Sequence, residues 1–195
     1  TDTGANWTEF RPTGSNQEWQ CVACDSDGSV MLASYWNGKM YLTTNSGTNW
    51  SEVQPAGATT KNWDNIICNS DGSIIYATVS KGRMYRSTDT GANWTEIRPS
   101  GEDGDGYYQI SCSSDGKTVI VNRANSAVTV KRTYYSTDAG DTWTETQPLG
   151  NVEANLYVAV SGDGTKFWAN NDASSDYSYY GVLSAANTSN FFQLF

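Results

Sequence analysis

Between residues 18 and 54 apolar and polar side chains alternate in four short runs, 18–24, 30–35, 40–44 and 50–54. The runs are separated by the turn-forming clusters "DSDG", "WNGK" and "NSGTN". A period of two sends alternate side chains to opposite faces of an extended chain, so each run predicts a strand. Asn-Gly between two such runs predicts a hairpin. The stretch reads as a four-stranded antiparallel meander.

The same pattern recurs along the chain. Trp7, Trp50, Trp94 and Trp143 are spaced by 43, 44 and 49 residues, and Gly28, Gly72, Gly116 and Gly164 by 44, 44 and 48. A third series, Trp19, Trp63 and Tyr107, also steps by 44. Tandem four-stranded units that bury both sheet faces against their neighbours are the blades of a β-propeller. The expected fold is therefore all-β. Four full blades fall at 16–55, 60–99, 105–148 and 151–195, and residues 1–12 read as the last hairpin of a preceding blade. Residues 184–191, "SAANTSNF", align with 87–94 as a degenerate copy, so the last unit reads as a terminal repeat. Four blades and a hairpin predict part of a larger ring.

Cys24, Cys68 and Cys112 sit 44 residues apart in the frames "CDSDG", "CNSDG" and "CSSDG". They are one repeat position, expected on the innermost strands as small core hydrophobes rather than disulfide partners. Cys21 falls on the opposite face of its strand. With no His and no second Cys-x-x-Cys pair, the sequence offers no zinc site. The balance of 12 Lys plus Arg against 21 Asp plus Glu, a net charge of −9, repels a phosphate backbone and argues against nucleic acid. No apolar run is long enough for membrane insertion.

The segments "TDTGANW" at 1–7, "TTNSGTNW" at 43–50, "STDTGANW" at 87–94 and "STDAGDTW" at 136–143 share the pattern S/T-x-D-x-G-x-x-W. This pattern resembles the Asp box, or bacterial neuraminidase repeat. Similar boxes occur in sialidases, xyloglucan-cleaving glycoside hydrolases, sortilin-type receptors, photosystem assembly factors and viral or bacterial surface proteins. The fuller repeat is similar in style to the last group. In such a turn a short Asp or Asn accepts backbone N–H bonds, Gly takes a left-handed conformation and Trp packs back on the blade. Asp2, Gly4, Trp7, Asn45, Gly47, Trp50, Asp89, Gly91, Trp94, Asp138, Gly140 and Trp143 are read as structural. The sequons at Asn6, Asn49, Asn93 and Asn187 are read as part of the same turn chemistry.

Successive loops of a meander alternate between the two propeller faces, so the box turns and the "SDG" turns share one face. Function is expected on the other, where insertions and irregular loops gather. The candidate binding residues there are Trp36, Arg83, Arg123 and Tyr177, with Lys39, Asp103 and Asp105 ranked below them. The run "GEDGDG" at 101–106 reads as a solvated acidic loop, since it lacks the ligand spacing of a helix-loop-helix calcium site. Resemblance to a sialidase implies an arginine clamp and a paired Tyr and Glu, but no matching constellation or Arg-Ile-Pro signature is present. The chain is expected to be a non-catalytic recognition or structural propeller of a virion or secreted cell-surface protein, without cofactor or metal. Its expected partner is a glycan or a cell-surface protein. The alternatives are a fragment of a glycoside hydrolase of sialidase or xyloglucanase type, and an intracellular or lumenal assembly factor.

Overall fold

The computed structural model describes residues 6–101, 106–123, 132–146, 156–171 and 178–183. The first blade contains β1 (Trp19–Cys24), β2 (Met31–Tyr35), β3 (Met40–Thr43) and β4 (Ser51–Val53). After β5 (Pro55–Ala58), the second contains β6 (Trp63–Cys68), β7 (Ile75–Val79), β8 (Met84–Ser87) and β9 (Thr95–Ile97). The third contains β10 (Tyr107–Cys112), β11 (Val119–Arg123), β12 (Arg132–Ser136) and β13 (Thr144–Thr146). The fourth contains β14 (Leu156–Val160), β15 (Lys166–Asn171) and β16 (Ser178–Val182). Each sheet is antiparallel with its strands in chain order. The degenerate copy at 184–191 lies outside the described residues. There is no helix among the described residues.

The blades stand side by side, with β1, β6, β10 and β14 as successive neighbours. They adhere because alternation gives every sheet two apolar faces. Leu32 and Met40 of the first blade pack with Trp63, Ile66 and Tyr85 of the second. Tyr76 and Met84 of the second pack with Tyr107 and Ile110 of the third, and Ile120 and Tyr135 of the third with Phe167 of the fourth. Burying each large side chain contributes about 1.5–3 kcal/mol, so these inter-blade layers are the core.

Three features depart from the pattern read along the chain. The register slips between Trp19 and Cys21, between Trp63 and Asn65, and between Tyr107 and Ile110, so each of the first three inner strands begins with a bulge. The residues at the junction of the first two expected units form a further strand, β5, which runs beside β8 and β9 of the next blade. The repeated cysteines lie on the innermost strands but only at the margin of the core, where Cys68 and Cys112 pack against the inter-blade clusters and Cys24 does not. Cys24 is exposed and Cys68 and Cys112 are half-buried, whereas Cys21 is buried with its Sγ 3.5 Å from the Trp63 carbonyl. The repeated cysteines end their strands where the blades converge on a central space, while Cys21 faces the next blade. All four thiols are free.

Candidate functional site

The turns between third and fourth strands are built alike. In the second blade the Ser87 hydroxyl donates to Asp89 Oδ1 at 2.8 Å and accepts the Gly91 N–H at 2.8 Å. Asp89 also accepts the Asn93 N–H at 2.8 Å, and the Trp94 indole donates to the Gly91 carbonyl at 3.0 Å. The third blade repeats this set through Ser136, Asp138, Gly140, Thr142 and Trp143. In the first, Thr43 and Asn45 hold Gly47 and Asn49, while the buried Trp50 indole nitrogen has no hydrogen-bond partner among the described residues. Burial opposes ionisation of Asp138, but hydrogen bonds from Ser136 and Thr142 outweigh it and hold the carboxyl down to about 2.

Two left-handed residues, not one, shape each turn: Ser46 and Gly47, Thr90 and Gly91, Ala139 and Gly140. A Cβ on Gly91 would come within 2.9 Å of Leu42 in the preceding blade, and one on Gly47 within 2.8 Å of Phe10. Glycine is thus required for close approach as well as conformation. The turns also bond directly to the "SDG" turns of their own blades, through Ser46 N to Ser29 O, Thr90 N to Ser73 O and Ala139 N to Lys117 O. Both turn sets share one face. Trp7, read as a packed residue of the same kind, instead stands in solvent because no third strand lies beside it among the described residues. Asp2 and Gly4 lie outside the described residues.

On the opposite face, Trp36 tops the loop between β2 and β3 and is 43% exposed. The loop is anchored from below: Trp36 N–H donates to the Glu18 carbonyl at 3.0 Å, and Gly38 exchanges backbone bonds with Lys61 at 3.1 and 3.0 Å. Asn37 alone of the Asn-Gly pair is left-handed, with φ 48°. Gly38 is needed for space, because the Tyr35 ring lies 2.0 Å from where its Cβ would stand. The second blade has Ser80 at the corresponding position, bonded to Asn62 as Trp36 is to Glu18.

Lys39 is bonded to both oxygens of Glu52, at 2.8 and 2.9 Å, and Arg83 pairs with Glu96 at 3.6 Å. Arg132 pairs with Glu145 in the third blade. These three cation–carboxylate pairs occupy equivalent sites across the third and fourth strands. The series was visible in the sequence, since Lys39, Arg83 and Arg132 step by 44 and 49 as Trp50, Trp94 and Trp143 do. The bond to Lys39 holds the Glu52 carboxyl below its ordinary value and raises the ammonium. Arg123 sits between Tyr107 and Arg132 in register and bonds the Tyr134 phenol, which burial pushes up to about 12. Trp36, Arg83 and Arg123 therefore occupy one face but three separate blades. Tyr177, Asp103 and Asp105 lie outside the described residues.

A cavity of about 260 Å³ opens on the other face, where the inner strands end. The repeated cysteines line it, together with Asp25, Asn69 and Ser113 and the serine ladder of the "SDG" turns. Ser26 N–H and Oγ both donate to the Ser70 carbonyl, Ser70 does the same to Ser114, and Ser114 N–H donates to Gly162. Burial pushes the Cys68 and Cys112 thiols up to about 12, which keeps them protonated and unreactive. Buried Asp25 Oδ1 has no hydrogen-bond partner among the described residues. No group of three His, Cys, Asp or Glu residues among those described could hold a metal ion.

Among solved structures, the fold is similar to an ancestral GH74 enzyme at 17% identity and TM-score 0.69, covering 88% of this chain and 26% of that one. It is also similar to a GH74 xyloglucanase from Xanthomonas campestris, at 17% identity and TM-score 0.59, covering 82% and 27%. A third neighbour is YCF48 bound to D1 peptide, at 16% identity and TM-score 0.56, covering 89% and 51%. The chain thus spans about a quarter to a half of the length of these structures. No curated protein matches it in sequence. The family model described as "Sortilin, neurotensin receptor 3" matches residues 38–194, and on that match the chain belongs to the Sortilin-Vps10 family of β-propellers.

Proposed function

We propose that this chain is a non-catalytic recognition propeller of a virion or secreted cell-surface protein, which binds a glycan or protein through the face opposite the turn ladder. The observation that carries this reading is Trp36. It is a large aromatic side chain held half in solvent on a loop pinned by three backbone hydrogen bonds. An indole fixed in this way offers a preorganised stacking surface for a sugar ring or an apolar side chain. The ion pairs of Lys39 and Arg83 give the same face a polar rim. The turns carry the hydrogen bonds an Asp box needs, which supports the Asp-box reading. A peptide-bound neighbour is consistent with a protein ligand.

A glycan and peptide array probed with the complete protein, beside Trp36→Ala and Arg123→Ala, tests this reading. Truncation of a central anchor is expected to cost about 1–3 kcal/mol of binding with the fold intact. Undiminished binding by both variants would move the site elsewhere. The second reading, a portion of a glycoside hydrolase, is favoured by likeness to the GH74 structures. Release of sugar from xyloglucan would establish it in place of the first.

A further inference from the structure

The residue that opens each "SDG" turn differs from blade to blade: Asp25, Asn69, Ser113 and Ser161. In the last three blades it is a donor. Ser113 and Ser161 give their hydroxyls to Asp115 and Asp163, two residues on, at 2.5 Å in both turns. The Asn69 amide donates to Ser73 Oγ at 3.2 Å and reaches the Asp115 carbonyl of the next blade at 3.5 Å. After Ser73, it also helps to hold the Asp71 carboxyl below its ordinary value. Each of these turns therefore pairs a donor with the aspartate of its own triplet.

The first blade keeps that aspartate, Asp27, but sets an acid against it. Asp25 is only 7% exposed; its Oδ2 accepts the Ser29 hydroxyl at 2.8 Å, and its buried Oδ1 has no hydrogen-bond partner among the described residues. Asp27 Oδ1 accepts the Ser29 N–H at 2.8 Å, and its carboxyl lies within hydrogen-bonding reach of the Asp25 carboxyl. The Ser29 backbone and hydroxyl hold Asp27 below its ordinary value, so it is charged at neutral pH. Two acids thus meet where the other blades place a donor and an acceptor, and like charges at contact need a positive charge between them. The position lies on the internal seam between the first and second blades, because the side chains of Asn69 and Ser113 bond only within their own blades and, for Asn69, to the next. By the same register the Asp71 carbonyl faces Asp25, as the Asp115 carbonyl faces Asn69.

We propose that Asp25, Asp27 and the Asp71 carbonyl hold a hard divalent cation of the Ca²⁺ class at this seam. Only two acids take part, and every ligand atom is an oxygen. That donor set suits Ca²⁺, which accepts a tolerant geometry of about six to eight oxygens, and water from the cavity that Asp25 lines completes the shell. The nearby Cys68 thiol, which burial pushes up to about 12, stays protonated and is no ligand for such an ion. Two carboxylates with water for the rest give an expected affinity of about 0.1–1 mM. The ion ties the first blade to the second where the Asn69 amide ties the second to the third. It sits on the turn-ladder face, away from Trp36.

The full chain, stripped with a chelator, is titrated with Ca²⁺ in a calorimeter and melted with and without about 10 mM Ca²⁺. One ion per chain and a rise of about 3–10 °C in melting temperature are expected. Asp25→Asn gives the first blade the residue that the second carries at this position. It should fold, bind no Ca²⁺ and melt in chelator at or above the wild-type temperature. Asp71→Asn should keep the Ca²⁺ increment, because the ion uses only the carbonyl of that residue. A wild-type chain that shows neither heat nor increment overturns the proposal, as does an increment that Asp25→Asn retains. Stability of the chelated wild type that rises as pH falls from about 7 to about 5, is absent in Asp25→Asn and comes with no response to Ca²⁺ overturns it in favour of a proton shared by the two acids.

Discussion

The Ser70 hydroxyl and the Ser70 amide both donate to the carbonyl oxygen of Ser114, at 2.7 and 2.9 Å. One acceptor thus joins two blades through a side chain and a backbone at once. Ser70→Ala removes the hydroxyl and leaves the amide bond, so it should cost about 1 kcal/mol in urea unfolding. An unchanged midpoint would mean that the amide alone sets the strength of the junction.

Gly72 and Gly28 adopt similar left-handed conformations, with φ 70° and 77°, but only Gly72 is pressed by a neighbour, Val30 at 2.7 Å from the position of a Cβ. Gly28→Ala should cost only conformational strain, about 1–2 kcal/mol. Gly72→Ala should add about 1–3 kcal/mol of overpacking. Equal losses in the two variants would show that Val30 moves aside freely.

Asp138 is held near 2 in the folded chain against a reference of 3.8. The carboxylate therefore contributes stability that is complete above pH about 5 and is lost as pH falls through about 2. Asp138→Asn should lower the melting temperature at neutral pH, since the amide loses the second oxygen that accepts the Thr142 hydroxyl. It should also flatten the acid limb of the stability curve. A variant whose acid limb stays as steep as that of wild type would place the titration on other carboxylates.

Among the cysteines, Cys24 is exposed, whereas Cys21 is buried and its thiol is pushed up to about 11 by burial. Maleimide should modify Cys24 of the native chain before any other cysteine. Cys21 should react only on unfolding. Peptide mapping after brief labelling checks the order, and early modification of Cys21 would show that the first two blades separate readily.

The fold was legible because the spacing of Trp50, Trp94 and Trp143 and of the "SDG" glycines repeats a physical unit, and each unit satisfies its own turns. The bulges after Trp19, Trp63 and Tyr107 were not legible, because a register slip changes which face a residue takes without changing the apolar pattern enough to announce itself. The repeated cysteines were placed on the right strands, and Cys68 and Cys112 do pack against the core, but Cys24 is exposed. Burial at a strand end depends on how far the blades stand from their common axis, and no local spacing encodes that radius. For Lys39 and Arg83, charge on a loop-facing end suggested a ligand, while the matching Glu52 and Glu96, 13 residues on, lay in a strand read only for its alternation. Trp36 was legible as a loop residue of the face opposite the turn ladder, because it sits in the turn "WNGK" between two strand runs.

The serine ladder has a direction. Because each rung runs from a backbone N–H of one blade to the same turn position of the next, 44 residues on in the first two rungs and 48 in the third, removing or duplicating one whole unit leaves every remaining rung matched. Lineages carrying this architecture can therefore gain or lose length in whole-blade steps without a compensating substitution at the junction, and blade number is free to drift while the chemistry of each seam stays constant.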